Sequence, residues 1–195
     1  MARWKPDARQ RLVVEALTLF AEQGYDETTV AQIAERAGLT RSTFHRHFAD
    51  KRDILSAGHE TLSRLLAEGV AEAPADAAPL DAVAAGLDRA SSSMTTFNRE
   101  LSHLIEAAIA ANDELRGRNA MKAVGMSAAM DDALVARGVA APVARLAAEM
   151  GVVAFSTGFQ RWVDPAVDDA PGELRDRTAA AFAELRAAAA MLADG

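Results

Sequence analysis

The 195-residue chain is half hydrophobic yet only 5% aromatic, carries a net charge of −7 and contains no cysteine. Such a composition supplies a core and excludes disulfides and thiolate metal sites. No run approaches the roughly 20 consecutive apolar residues that a membrane span requires. The opening MARWKPDARQR lacks an apolar signal core, so a soluble, cytoplasmic protein with no membrane association is expected.

The acidic total is unevenly spread. Residues 1–53 hold nine Lys and Arg against eight Asp and Glu, leaving 12 against 20 for the remainder. A near-neutral head on an acidic body orients the head toward a polyanion.

Residues 2–6, with Arg3 and Lys5, form a short arm that is either unstructured or reaches a phosphate or the minor groove. Asp7 caps helix one, which runs to about Gln23 with Leu12 or Val13, Ala16, Leu17 and Phe20 as its buried stripe. Gly24-Tyr25-Asp26 stops it, and Tyr25 is expected to pack. Thr29, with Gln32 three residues on, makes a capping box ahead of Val30, Ile33, Ala34 and Ala37. Gly38 suits the left-handed conformation that ends a helix, and Leu39 turns back to the core. Thr40 then caps a second short helix, Arg41 to about His47. Two short helices joined so tightly predict a helix-turn-helix, whose second helix enters a DNA major groove.

Phe44 is the inward anchor of that second helix and Phe48 closes its end. Arg41, Ser42, Thr43, His45, Arg46 and His47 remain, all donors and none acidic. A face without a carboxylate suits an anionic partner. The plainer reading is a positive patch on an ordinary helical domain.

Asp50 caps helix four, with Lys51 and Arg52 expected in a first turn whose dipole they oppose unless a phosphate lies there. The helix continues through Ile54, Leu55, Gly58, Leu62, Leu65, Leu66 and Gly69, and residues 73–79, with two prolines, form a linker. Helix five carries Leu80, Val83, Leu87 and Met94, and helix six Phe97, Leu101, Leu104, Ile105, Ala108 and Ile109. After Asn112-Asp113, helix seven carries Leu115, Met121, Val124, Ala128, Leu134 and Val135 and stops at Gly138. Pro142 opens helix eight, whose apolar residues, Val143 to Val163, spread over several faces and imply more than one neighbour. An acidic loop over residues 164–172 precedes helix nine, with Leu174, Thr178, Ala181, Phe182, Leu185, Ala189 and Leu192. No strand-like alternation or internal repeat is present. The fold class is all-α, with about nine helices.

Helices eight and nine fit either packing within one subunit or a two-fold four-helix interface. Met94, Phe97, Leu101, Leu104, Ile105, Met121, Met126, Met130, Phe155, Phe159 and Trp162 are either plain core or the lining of a ligand cavity. His103 and Glu106, one helical turn apart, and the upstream Asn98 and Arg99 either orient a polar ligand group or are merely structural or exposed. No catalytic residue, metal or cofactor is expected: there is no glycine-rich phosphate loop or His-Glu-x-x-His, and His45 and His47 diverge on their helix. The protein is therefore not expected to be an enzyme.

Over about residues 9–55 the chain resembles the tetracycline-repressor (TetR) family of bacterial transcription regulators. The resemblance rests on Ala16, Leu19-Phe20, Gly24-Tyr25, Thr28-Thr29-Val30, Ile33-Ala34, Ala37-Gly38, Thr40, Thr43-Phe44, His47-Phe48, Lys51 and Leu55. It implies a helix-turn-helix DNA-binding domain over residues 1–53 and a helical ligand-binding and dimerisation domain over 54–195. Dimerisation through helices eight and nine, release from DNA by a small hydrophobic or acyl-CoA-like effector, and a backbone contact by Lys51 are likewise what the resemblance implies. Family members commonly carry tyrosine where this chain has His45, whose reach is shorter and whose charge depends on pH. In such an interface Arg41 and Arg46 suit base edges, Thr43 a thymine methyl, and Thr29, Thr40, Ser42, His45, His47 and Lys51 phosphates. A ligand-independent regulator, an activator, a nucleoid-type DNA binder and a helical protein-interaction module are the alternatives.

Overall fold

The computed structural model describes residues 7–164 and 173–193. The arm bearing Arg3 and Lys5 and nearly all of the acidic loop lie outside the described residues, as does the side chain of Leu55. The elements are α1 (Ala8–Gln23), α2 (Val30–Arg36), α3 (Arg41–His47), α4 (Asp53–Glu72), α5 (Pro79–Ser92), α6 (Thr96–Ala111), α7 (Asp113–Ala136), α8 (Ala141–Val163) and α9 (Leu174–Ala193). Among the described residues every element is helical, as the sequence predicts.

The chain divides into two compact units. One holds residues up to Gly58 with Glu100–Ala120; the other holds His59–Arg99 and the residues from Met121 on. All three boundaries fall within helices, so α4, α6 and α7 each contribute to both units.

In the first unit α1, α2 and α3 pack on one another. Leu12, Ala16, Leu17, Phe20, Ile33, Ala34, Phe44 and Phe48 are buried, and each of the larger side chains contributes about 1.5–3 kcal/mol on burial. Local hydrogen bonds fix the helix starts: Gln10 N–H donates to Asp7 Oδ1 at 2.8 Å, and Gln32 N–H to Thr29 Oγ1 at 3.3 Å. Arg36 ties α2 back to α1, donating to Glu22 Oε1 at 2.9 Å and lying 3.0 Å from Glu15.

The second unit is built on α5, α8 and α9, which pack mutually. Leu66 and Val70 of α4, Val83 and Leu87 of α5, Met126, Met130 and Leu134 of α7, Phe155 and Trp162 of α8, and Phe182 of α9 share one core. Helices α4 and α5 cross at paired glycines. A Cβ on Gly69 would stand 2.7 Å from Ala85 O and Gly86 Cα, and one on Gly86 would stand 2.7 Å from Leu66 O.

Two expectations are corrected. Lys51 and Arg52 precede α4 rather than occupying its first turn, where Asp53 sits instead. Arg52 pairs with Asp50, Nε to Oδ2 at 2.7 Å, so its charge is compensated locally and the dipole conflict does not arise. On α7 the inward stripe is Met126, Met130 and Leu134, whereas Met121, Val124 and Val135 are 63%, 56% and 46% exposed. Helical spacing leaves those three on another face.

Candidate nucleic-acid interface

The connection from α2 to α3 is set by backbone chemistry. Gly38 has φ +65°, and Leu39 N–H donates to Ala34 O at 2.8 Å, closing the α2 C-terminus. Nothing lies within 4 Å of where a Gly38 Cβ would stand, so conformation rather than space calls for glycine. Thr40 Oγ1 then accepts from Thr43 N–H at 3.1 Å and starts α3.

Phe44 is fully buried and lies 5.6 Å from Phe48, centroid to centroid, which fixes the rotation of α3 about its axis. That rotation leaves Arg41, Ser42, His45, Arg46 and His47 exposed and Thr43 half-buried. Thr29 and Thr40 are exposed beside their caps. The predicted donors thus gather on α3 and on the two helix starts of one unit. Among the described residues no acidic side chain lies on α3.

Lys51 stands apart from this set. Its ammonium donates to the carbonyl oxygens of Tyr25 at 2.6 Å, Thr28 at 2.9 Å and Asp26 at 3.2 Å, and sits 4.3 Å from the Tyr25 ring centroid. All three donors are used, so Lys51 braces the α1–α2 turn in this structure instead of offering a free phosphate contact.

The residues expected around a ligand do not form one set. Leu101, His103, Leu104 and Ile105 belong to the first unit; Met94, Phe97, Met121, Met126, Met130, Phe155, Phe159 and Trp162 belong to the second. Met126, Met130, Phe155 and Trp162 are buried in the second unit's core, with Phe159 and Met94 packed against it. Met121 and His103 are exposed. Asn98 Oδ1 accepts from Thr95 N–H at 2.9 Å, a helix-start contact rather than a ligand contact.

Sequence reasoning passed over Lys122 and His59. Lys122 Nζ lies 5.4 Å from the Phe159 ring centroid and 5.9 Å from that of Phe155. Burial pushes its ammonium below the usual lysine range. Burial, and then the charge of Lys122, brings the half-buried His59 down to about 4. The available signal was register: Lys122, Met126, Met130 and Leu134 recur every four residues, so the lysine sits on the inward face.

Residues 12–57 match the family described as bacterial regulatory proteins, tetR family. Residues 12–57 are thus a tetR-type segment. The tetR-type segment also aligns with the HTH-type transcriptional regulator TcmR of Streptomyces glaucescens, 39% identical over 75 residues, 38% of this chain and 33% of that protein. The match thus spans only about a third of this curated relative. In fold, the chain is similar to a putative transcriptional regulator of Pseudomonas aeruginosa PAO1, with TM-score 0.57 and 16% identity over 97% of this chain and 94% of the other. It is also similar to a transcriptional regulator (TerR/AcrR family) of Aquifex aeolicus VF5, with TM-score 0.54 and 16% identity over 92% and 98% of the two chains. At such identities the likeness is one of fold.

Among the described residues no helix is long and apolar enough to cross a membrane. No group of three or more His, Asp or Glu among them is placed to hold a metal ion.

Proposed function

We propose that the protein is a transcriptional repressor that binds a palindromic operator as a homodimer and is released by a small, mostly hydrophobic effector. The observation that carries this reading is the exposed face of α3, which bears donors and no carboxylate within a tetR-type segment. In the proposed division of labour residues 1–53 read DNA in the cytoplasm, and residues 54–195 dimerise and hold the effector. Arg41 and Arg46 pair with base edges, Thr43 meets a thymine methyl, and Thr29, Thr40, Ser42, His45 and His47 bind phosphates and set register.

A dimer through α8 and α9 is supported by what those helices leave uncovered. Val143, Leu146 and Val153 of α8 are 49%, 64% and 48% exposed and lie, with the half-buried Met150, at three- and four-residue spacing on one face. On α9 the exposed Ala180, Ala187 and Met191 share a face. Small residues beside an apolar stripe suit close two-fold packing. Two heads related in this way would read half-sites roughly 34–36 Å apart.

The effector is proposed to act by differential affinity, favouring a conformation in which α4 is pivoted and the heads leave their operator spacing. A hundredfold loss of DNA affinity requires about 2.7 kcal/mol of such coupling.

The test is a gel-shift selection on genomic fragments at low salt, repeated with fractionated metabolite extracts. Enrichment of inverted repeats, lost on adding one fraction, is the expected result. Retention of all duplexes alike, or of none, would refute operator recognition; enrichment that no fraction alters would refute the effector.

A further inference from the structure

We propose that the second unit binds a small amphiphilic carboxylate, with its charged group on Lys122 and its apolar body against Phe159. This deepens the proposed function by naming the chemical class of the effector, and rests on that reading for its regulatory meaning.

The argument starts from an uncompensated charge. Lys122 is half-buried on the inward face of α7, and among the described residues no carboxylate pairs with it. Its neighbours are two aromatic rings, parallel within 17° and 6.2 Å apart, which continue to Trp162, 5.8 Å from Phe159. Ring faces offset part of the desolvation of an ammonium but supply no counter-charge. His59 carries none either, since burial keeps its imidazole neutral. Ser63, one turn along α4, faces Gly125 of α7, its Oγ 3.5 Å from where a Cβ would stand. Glu149, the acid of α8 that reaches α7, is engaged by the Ser127 hydroxyl at 2.8 Å.

One uncompensated positive charge calls for one negative charge. A carboxylate neutralises Lys122, whereas a phosphate dianion would leave a net negative charge among the rings. The adjoining Phe159 is half-buried and offers aromatic surface for an apolar tail or ring to cover, while Phe155 backs it from within the core. The chemistry that fits is a headgroup accepting from the ammonium, joined to a hydrophobic body.

The full chain carrying Trp4→Phe leaves Trp162 as its only tryptophan, so fluorescence titration reads the aromatic run directly. The probes are decanoate against decanamide and 1-naphthoate against 1-naphthamide. At least one carboxylate is expected to bind about tenfold or more tightly than its neutral amide, the factor that a charge-assisted contact of 1.4 kcal/mol supplies. Lys122→Met should bring acid and amide to parity while amide binding persists, and Lys122→Arg should retain the preference. Equal binding of both acids and their amides to the parent protein, or an undiminished preference in Lys122→Met, overturns the site. Gel shifts of operator DNA without additive keep the two readings separate. DNA binding retained with no acid preference sinks the carboxylate site alone, and loss of DNA binding in the parent protein sinks the regulator.

Discussion

The ammonium of Lys51 donates to the carbonyl oxygen of Tyr25 at 2.6 Å and lies 4.3 Å over the ring of the same residue. One side chain thereby holds both the backbone and the side chain of the turn that joins α1 to α2. Lys51→Met leaves three carbonyl acceptors without this donor and should lower the unfolding free energy by about 1–3 kcal/mol in urea titrations. Lys51→Arg should recover little, because a planar fork cannot direct donors to three carbonyls grouped around one ammonium. A drop in DNA affinity at unchanged stability would instead return Lys51 to the phosphate contacts.

Arg46 is exposed near the end of α3, on the turn after Arg41 and Ser42. Arg46→Ala should lose about 1–3 kcal/mol of discrimination at one base pair of each half-site. Ser42→Ala should weaken all sequences alike. Competition binding against single-base operator variants separates the two, and a uniform loss for Arg46→Ala would move it to the backbone.

His59 is held near 4, below its ordinary value of 6.5, by burial and then by Lys122. The unfolded chain takes up the proton first as pH falls, so stability is complete above about 6.5 and declines toward 4. Allowing for solvent around a half-buried ring, the loss is about 1–2 kcal/mol. His59→Gln should flatten this part of the stability profile between pH 7 and 4, measured by denaturant midpoints. An unchanged slope would place the titration elsewhere.

Leu146, 64% exposed, lies on the α8 stripe. Leu146→Glu would place like charges across the proposed two-fold interface and should convert dimer to monomer at micromolar concentration in light scattering, with far-ultraviolet dichroism unchanged. A dimer that survives both this change and Val153→Glu would exclude α8 as the seam.

The parts of the structure legible in the sequence are those fixed by near neighbours. Thr29 with Gln32, Thr40 with Thr43, and Gly38 announce α2, its end and the start of α3, because each contact spans only a few residues. The donor face of α3 was legible for the same reason: Phe44 fixes which side turns inward. The sequence was less informative about α7, where apolar residues lie on several faces and only packing chooses among them. Met121 turned outward while Lys122 took the inward register with Met126 and Met130. A lysine at that register looks like a surface residue until the rings of Phe155 and Phe159 are in place. Lys51 illustrates the converse, since its three acceptors lie 23 to 26 residues earlier in the chain.

Where Gly69 meets Gly86, backbone lies against backbone and neither residue puts a side chain between α4 and α5. At that point the crossing has no soft rotamers through which one rod can roll over the other. Within their unit the two segments should travel as a single stiff piece, so a push delivered to either becomes a displacement of both. Bulk added at this crossing would act like a wedge in a hinge, biasing the resting angle with no effector present.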